Sequence, residues 1–378
     1  MKNTKKLASL LIVGLMAAGM LSGCGNGSDT STTESGTEAS GKNLTEVKWV
    51  SPAALASLDF VWMYVADEMG YFADEGLKVN IIENTDGSDA RFLAAGSADF
   101  AASSPAVALS TVDAGATNIK AIVNNVSSNI FGIAYANKSD VKDWKDLEGK
   151  KIAITGEALI SIYNPILAAA GVDTSKVEYV VLGNARYEAL ELGAADAMGT
   201  WISEYDMCEG MGYTDWTFLS GNDVLPQIAN SLWVNTDFAE KNPDTVKGFA
   251  RAITKAMYFC YKNPEAAADI ALNRYPEIEC TWEGAVGAVN GNVSGMLGMT
   301  DEALQATLDA HSIGVYDMEM VKKTIANLLA GGSIKQELDA ETYYTNEYVD
   351  TTWDYADVDA DAAAYTCTSK VYTEVNAA

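Results

Sequence analysis

The stretch Ala-Asp-Glu-Met-Gly-Tyr-Phe-Ala-Asp-Glu-Gly-Leu-Lys-Val at residues 66–79 decides the fold of this chain. Apolar residues at helical spacing lead into it over residues 60–69. Gly70 stands where that helix is expected to end, because glycine readily adopts the left-handed conformation of a helix terminus. Gly76 precedes residues 77–82, whose apolar positions are typical of a strand. The stretch therefore predicts a helix, a turn and a strand in close succession.

The same alternation of strands and helices extends on both sides of this stretch and then restarts. The first series comprises a strand at 47–50, a helix at 91–95, a strand at 99–102, a helix at 105–113 and a strand at 119–123. The second comprises strands at 151–155, 177–182 and 195–198 and helices at 158–170, 187–192 and 204–210. Such alternation predicts two α/β lobes with parallel sheets. From residue 243 onward the pattern is helical, at 246–261, 264–273 and 318–329.

The stretch at 66–79 resembles the A-x-x-x-G-Y-F-x-x-E-G-L-x-V signature of ABC-transporter substrate-binding proteins of the nitrate/sulfonate/taurine and thiamine-pyrimidine type. Further segments are similar to that family in the same order, namely AGSADF at 95–100, DLEGKKIA at 146–153, AAGVD at 169–173 and LGAADA at 192–197. The resemblance implies a two-lobed periplasmic-binding-protein-like fold of type II. Each lobe would be a mostly parallel sheet flanked by helices, and the ligand would lie in the cleft between the lobes.

These patterns divide the chain into five parts. We expect a signal peptide at 1–23, a lipidated cysteine with a flexible tether at 24–44, and a second lobe at 129–236. The first lobe is expected to be discontinuous, at 45–128 and 237–340, with the C-terminal helices included. An acidic, tyrosine-rich tail at 341–378 is expected to follow the surface or to fray.

The N-terminal residues indicate export and a lipid anchor. Three lysines precede an apolar run at 7–21 that is too short to span a bilayer, as in a signal peptide. The run ends in Leu-Ser-Gly-Cys at 21–24, which resembles the bacterial lipobox, so Cys24 is the expected lipidation site. Residues 25–43, rich in Gly, Ser and Thr, would reach roughly 24 Å as a flexible tether. The protein is thus expected on the extracytoplasmic face of the membrane, held by lipid alone; the alternative is a chance cysteine after a plain secretory signal.

Composition excludes several function classes. The 378 residues contain 25 Lys and Arg against 52 Asp and Glu, a net charge of −27, which opposes binding to nucleic acid. The single histidine, His311, disfavours most acid–base and nucleophilic mechanisms. We therefore expect a protein that is not an enzyme. The protein is also expected to act as a monomer and to carry no cofactor.

Neither the cysteines nor the tail aspartates form a metal-binding pattern. Cys208, Cys260, Cys280 and Cys367 have spacings that match no zinc site, so they are expected to be buried free thiols or to form at most one disulfide. The aspartates at 357, 359 and 361 alternate as at the start of a calcium loop, but the later positions of that loop do not match.

The candidate ligand-binding residues follow the predicted strands, because clefts in α/β folds are lined by the carboxyl ends of strands. Serine followed by proline at 104–105 is expected to start a helix with free amides. In the first lobe and its link the candidates are Ser51, Leu58, Asp59, Trp62, Asn84, Asp86, Ser103, Ser104 and Ser127. In the second lobe they are Gly156, Glu157, Asn184, Arg186, Trp201 and Glu204.

Three of these residues suggest the ligand chemistry. Trp201 is expected to stack on the ligand. Arg186 either anchors a ligand carboxylate or braces the lobe. Glu157 would repel a small oxyanion, which favours a heteroaromatic or amine-bearing ligand such as a thiamine pyrimidine precursor; alternatively Glu157 faces solvent as a first-turn acid.

The resemblance implies an importer component that closes at hinges near 124–133 and 226–234 and delivers its small-molecule ligand to ABC permease and ATPase subunits. Three alternatives stay open. They are a binder of sulfonate, nitrate or taurine, an enzyme of the pyrimidine-synthase type, and a sensor that uses the same fold without a permease.

Overall fold

The strand that begins in the stretch at 66–79 lies at one edge of the first five-stranded sheet. The structure, a computed structural model, describes residues 44–84 and 87–377, so the expected signal peptide, Cys24, the tether up to residue 43 and Asp86 lie outside the described residues. The strand order is β2-β1-β3-β10-β4, with β10 antiparallel to both of its neighbours. These strands are β1 (Thr45–Ser51), β2 (Leu77–Glu83), β3 (Phe100–Ser103), β4 (Ile119–Val126) and β10 (Asn230–Asn235).

The second sheet repeats this arrangement. Its order is β7-β6-β8-β5-β9, and β5 is the antiparallel member. Its strands are β5 (Phe131–Ala136), β6 (Lys151–Ile154), β7 (Glu178–Val181), β8 (Ala197–Trp201) and β9 (Trp216–Ser220). The mostly parallel, two-lobed α/β fold expected from the sequence is confirmed.

Helices cover both sheets and then continue as a helical C-terminal region. Those up to β10 are α1 (Val61–Glu68), α2 (Tyr71–Asp74), α3 (Asp89–Ala94), α4 (Pro105–Asp113), α5 (Ile160–Ala169), α6 (Arg186–Leu192), α7 (Ile202–Gly210) and α8 (Gly221–Val224). Those after it are α9 (Thr236–Lys241), α10 (Pro243–Lys262), α11 (Pro264–Arg274), α12 (Trp282–Leu297), α13 (Asp301–Asp309), α14 (Met318–Ala330), α15 (Ala340–Tyr343), α16 (Tyr355–Ala364) and α17 (Lys370–Asn376). No helix of the described part is long and apolar enough to cross a membrane.

Local signals explain the helix ends around the deciding stretch. Gly70 and Gly76 have φ values of 78° and 72°, a backbone region that glycine enters without strain. The Ser104 hydroxyl accepts a hydrogen bond from the Val107 amide at 3.3 Å and caps α4, whose first residue is Pro105. The expected serine cap at this helix is therefore present.

The chain passes between the two sheets twice, through residues 127–130 and 221–229. These passages overlap the ranges expected for the hinge. The expected second lobe at 129–236 extends too far, because β10 pairs with β3 and β4 in the first sheet. Its insertion gives hydrogen-bond partners to strand edges that would otherwise stay open.

The C-terminal segment follows the surface of the first lobe instead of fraying. Tyr344 is 1% exposed, and Asp269 on α11 is fully buried. The Asp269 carboxylate accepts hydrogen bonds from the amides of Thr368 and Ser369 and from the Tyr365 hydroxyl, at 2.7–3.0 Å. A buried acceptor inside the body therefore holds the tail in place.

All four cysteines of the described region are free thiols. Cys208 and Cys260 are buried, as the first of the two possibilities predicts, whereas Cys280 and Cys367 are only partly buried. Within residues 44–84 and 87–377, no group of three or more His, Cys, Asp or Glu side chains is arranged to hold a metal ion. In the tail, Asp359 instead accepts a hydrogen bond from Tyr258 and pairs with Lys262.

Candidate functional site

A cavity of about 410 Å³ lies between the two sheets. Its place follows from the topology, since the loops after parallel strands meet at one edge of a sheet. Most of its wall is apolar, with a few polar groups set into it, as is usual for a small-molecule site. The described lining residues are Pro52, Ala53, Asp59, Phe60, Gly87, Asp89, Ser104, Val107, Val126, Ile130, Phe131, Leu159, Ile162, Trp201, Ile202, Ser203, Ala229, Asn230, Gly291 and Asn292.

One hydrogen bond in this cavity joins the two lobes. The indole N–H of Trp201, at the end of β8, donates to Oδ1 of Asp59 in the loop after β1, over 3.1 Å. The Asp59 loop is itself held by Asn292 of α12, whose side-chain amide donates to the Leu58 carbonyl at 2.7 Å. The cleft is thus closed by direct contact between two of its candidate ligand-binding residues.

A buried charge network lies behind Trp201. The fully buried guanidinium of Arg186 forms an ion pair with Glu204, which is 6% exposed. The Thr200 and Tyr187 hydroxyls donate to the same carboxylate at 2.5 and 2.6 Å. The Arg186 guanidinium also lies 5.9 Å from the centre of the Trp201 ring. Two roles were considered for Arg186, and the geometry favours the one in which it stabilises the lobe, because its guanidinium already forms an ion pair with Glu204.

The Asp59 carboxyl is a weaker acid than an ordinary aspartate. Burial and, to a smaller extent, the nearby Glu204 carboxylate together raise the pKa of Asp59 to about 6, although the hydrogen bond from Trp201 opposes this shift. A carboxylate in such a place gains from a positively charged or hydrogen-bond-donating partner. Asp59 is therefore the group in the cavity best suited to meet a ligand amine.

Three of the residues that the sequence predicts for the site line this cavity, namely Asp59, Ser104 and Trp201. Ser51 and Leu58 are buried in the segment that runs from the end of β1 to Asp59. The Ser51 hydroxyl donates a hydrogen bond to the Ala53 carbonyl at 2.9 Å. These two residues shape the loop and do not face the cavity.

The other first-lobe candidates point elsewhere. Trp62 is 1% exposed and packs edge-on against Trp49 in the core, because α1 turns this face toward the sheet. The Asn84 side-chain amide bonds to Ser88 in its own loop. Ser103 is fully buried, and the Ser127 hydroxyl bonds to carbonyls at the end of α12.

In the second lobe, Gly156, Glu157 and Asn184 lie outside the described cavity wall. Glu157 is exposed at the start of a short 3₁₀ turn, so the solvent-facing alternative describes it better. The electrostatic argument against anions therefore does not hold at Glu157. Asp59 and Asp89 supply the carboxylates of the cavity instead.

Sequence reasoning missed the contributions of α12 and β10. Gly291 and Asn292 reach the cavity because α12 packs across α7, where a Cβ atom on Gly291 would lie 2.4 Å from the Ser203 Cα. Asn230 reaches it because β10 returns to the first sheet. No local pattern marks these positions. Asp89, in contrast, begins α3 at the end of the segment 84–89 after β2, which the sequence indicates as a cleft loop.

The fold and the interlobe cavity define a two-lobed solute-binding protein of the type II periplasmic-binding-protein class. The alkanesulfonate-binding protein SsuA from Xanthomonas axonopodis pv. citri, solved with MOPS, superimposes with a TM-score of 0.57 at 14% identity, covering 79% of this chain and 98% of that one. At this identity the likeness concerns the fold alone.

The chain belongs to the NMT1/THI5-like family, whose model matches residues 57–267. The riboflavin-binding protein RibY of Chloroflexus aurantiacus is 26% identical over 78% of this chain and 84% of its own length. The formylaminopyrimidine-binding protein of Halalkalibacterium halodurans is 27% identical over 57% and 67%, respectively. Enzymes named 4-amino-5-hydroxymethyl-2-methylpyrimidine phosphate synthase, from Legionella pneumophila and Aspergillus parasiticus, also match at 22% and 26% identity.

Proposed function

We propose that this protein is the extracytoplasmic solute-binding component of an ABC importer and that it captures an amine-bearing heteroaromatic molecule between its lobes. The ligand would then pass to permease and ATPase subunits, with the binding protein acting as a monomer. One observation supports this class of ligand. The cavity wall is aromatic and apolar, and the only ionisable side chains among the described lining residues are the carboxyls of Asp59 and Asp89.

The electrostatics and the size of the cavity both favour such a ligand. Two carboxyls without a lysine, arginine or histidine among the described lining residues repel an anion and attract a cation. The volume of about 410 Å³ compares with roughly 30 Å³ for one water molecule in the liquid. A nitrate or taurine molecule would leave most of this volume unfilled, whereas a substituted ring would contact the walls.

Binding without catalysis is supported by the contents of the site. His311, the single histidine of the sequence, stacks on Tyr355 of α16 at 4.2 Å between ring centres, and the described cavity wall includes no cysteine. The names of two relatives, riboflavin-binding and formylaminopyrimidine-binding, also support a heteroaromatic ligand. The match to synthases is the reason to assay the compounds for turnover as well as for binding.

The test is a thermal-shift and calorimetry panel. It contains formylaminopyrimidine, 4-amino-5-hydroxymethyl-2-methylpyrimidine, riboflavin, taurine and ethanesulfonate. A ligand at 100 times its Kd stabilises the folded protein by about 2.7 kcal/mol, so a true ligand raises the melting temperature clearly. We expect the aminopyrimidines to do so. Stabilisation by the sulfonates alone would overturn the proposed ligand class.

Replacing Trp201 with alanine should weaken binding of the aminopyrimidine by about 10-fold or more, because aromatic stacking on a base is worth roughly 1–3 kcal/mol. Folding should change little, since Trp201 is only partly buried. Trp62→Ala is the contrasting variant: its core position predicts a loss of about 3–5 kcal/mol in the free energy of unfolding. Measuring affinity by calorimetry and the melting temperature of both variants separates ligand stacking from core packing. Native affinity in Trp201→Ala would place that side chain outside the binding site.

Affinity for a cationic ligand should fall as the pH drops through about 6. The pKa of Asp59 is raised to about 6 from its ordinary value near 3.8, so its charged form is lost as the pH falls through that range. Below it, the ligand must displace a proton, at a cost of up to about 10-fold in affinity per pH unit. Calorimetry of 4-amino-5-aminomethyl-2-methylpyrimidine, whose aliphatic amine is protonated over this range, from pH 4.5 to 7 measures this loss, and Asp59→Asn should remove the part of the slope due to this carboxyl. An identical pH profile in the variant would rule out Asp59 as the partner.

We also propose that the protein is a lipoprotein anchored through Cys24. The support is the sequence pattern at 1–24. Cys24→Ala should move the protein from the membrane fraction to the soluble fraction, since one or two acyl chains would supply its main membrane affinity. Unchanged fractionation, or labelled palmitate still incorporated into the variant, would refute the anchor.

A further inference from the structure

Two buried acceptor atoms in the cavity wall have no hydrogen-bond partner. Asp89, the first residue of α3, is 2% exposed, and its Oδ2 is unpaired. Asn230, the first residue of β10, has a buried and equally unpaired Oδ1. Leaving a buried polar atom unpaired costs roughly 1–3 kcal/mol, and more for a charged group, so such atoms usually have a partner. Both residues line the interlobe cavity, so a ligand or a water molecule bound there is an available partner.

Asp89 and Asp59 lie in separate environments. The pKa of Asp59 responds to burial, Glu204 and Trp201, whereas burial raises the pKa of Asp89 and the neighbouring Ser103 opposes that shift. The two carboxyls also lie on different segments of the first lobe, since Asp89 begins α3 and Asp59 lies in the loop between β1 and α1. The polar group around Asp89 is therefore incomplete, while Asp59 already receives the Trp201 indole.

We propose that Asp89 and Asn230 form a second recognition point for the ligand, separate from the Asp59–Trp201 pair. This inference rests on the proposed function. The oxygens at both recognition points accept hydrogen bonds and cannot donate them, so they favour a ligand with an N–H donor for each point. An aminopyrimidine that also carries an aminomethyl group is such a ligand. An ordered water at Asp89 is the alternative occupant, because a water molecule can donate a hydrogen bond to a buried oxygen that lacks a partner.

The test compares two probes that differ by one donor, 4-amino-5-aminomethyl-2-methylpyrimidine and 4-amino-2,5-dimethylpyrimidine. Calorimetry is carried out on the wild type, Asp89→Ala, Asp89→Asn and the control Glu157→Gln, whose exposed side chain lies outside the described cavity wall. We expect the wild type and the control to prefer the first probe by about 10-fold or more. Asp89→Ala should reduce this preference to less than about 3-fold.

The ligand-free proteins provide a second readout. Because Asp89 Oδ2 is unpaired, Asp89→Ala and Asp89→Asn should melt no lower than the wild type without ligand. A lower melting temperature in both variants would mean that Asp89 has a structural partner, and it would overturn the inference. An unchanged preference in Asp89→Ala would do the same and would indicate a water at this point. If the wild type binds neither probe, the proposed function itself fails.

Discussion

Arg186→Met should lower the free energy of unfolding by about 3–5 kcal/mol, which is the usual cost of leaving one partner of a buried ion pair without its counter-charge. Arg186 is fully buried, and Glu204 is 6% exposed. The variant would leave the Glu204 carboxylate with hydrogen bonds from Thr200 and Tyr187 but with no positive charge beside it. Urea unfolding followed by circular dichroism measures the loss.

Two controls separate the buried charge from other effects of this substitution. Lys78→Met removes a cation from an exposed pair with Glu46, where solvent screens the charges, so it should cause no measurable change. The double variant Arg186→Met with Glu204→Leu removes both charges and should be more stable than Arg186→Met alone. If Arg186→Met unfolds no more easily than Lys78→Met, the network does not brace the lobe.

Gly287→Ala should weaken ligand binding by more than about 10-fold, because it prevents α12 from closing against α7. A Cβ atom at Gly287 would lie 2.4 Å from the Asp206 carbonyl oxygen and 2.9 Å from the carbonyl carbon. Backbone atoms cannot turn aside as a side chain can, so the helices must separate, at a cost of about 1–3 kcal/mol. Since α12 packs on the core of the first lobe and α7 belongs to the second, their separation opens the cleft.

Small-angle scattering and calorimetry test this prediction together. Asn290→Ala, at an exposed position on the same helix, is the matched control, since alanine raises helix propensity there without entering the contact. We expect the wild type and the control to compact when the ligand binds, and Gly287→Ala to keep a larger radius of gyration. Native affinity together with normal compaction in Gly287→Ala would show that this contact does not limit closure.

Local patterns were sufficient for the elements near the deciding stretch. The glycines at 70 and 76 and the serine cap at 104 act within one turn of chain, so the sequence indicates them directly. Strands β5, β9 and β10, all of whose pairings are antiparallel, were missed. Their partners lie far away in the sequence, and a short apolar segment does not reveal which neighbour it will pair with.

The candidate site shows the same division. Asp59, Ser104 and Trp201 could be predicted because each follows a strand, and the ends of parallel strands meet at one edge. Whether Arg186 would face the ligand or Glu204 could not be decided, because the answer depends on which side chains pack against α6. The carboxylate expected from Glu157 is provided by Asp59 and Asp89, which lie on the other lobe.

The amino-acid sequence was enough to predict the two α/β lobes and the loops that border the cleft, because helix and strand periodicity and glycine positions are local properties. The family was indicated separately, by motifs such as the one at 66–79 that resemble it. Only the tertiary structure decided the chemistry of the cavity. In the folded protein, Trp201 donates a hydrogen bond to Asp59 across the lobes, and Arg186 forms an ion pair with Glu204. Helix α12 packs against α7, and side-chain oxygens of Asp89 and Asn230 have no hydrogen-bond partner. These features depend on the burial of charges and on contacts between distant segments, and such contacts exist only after the chain has folded.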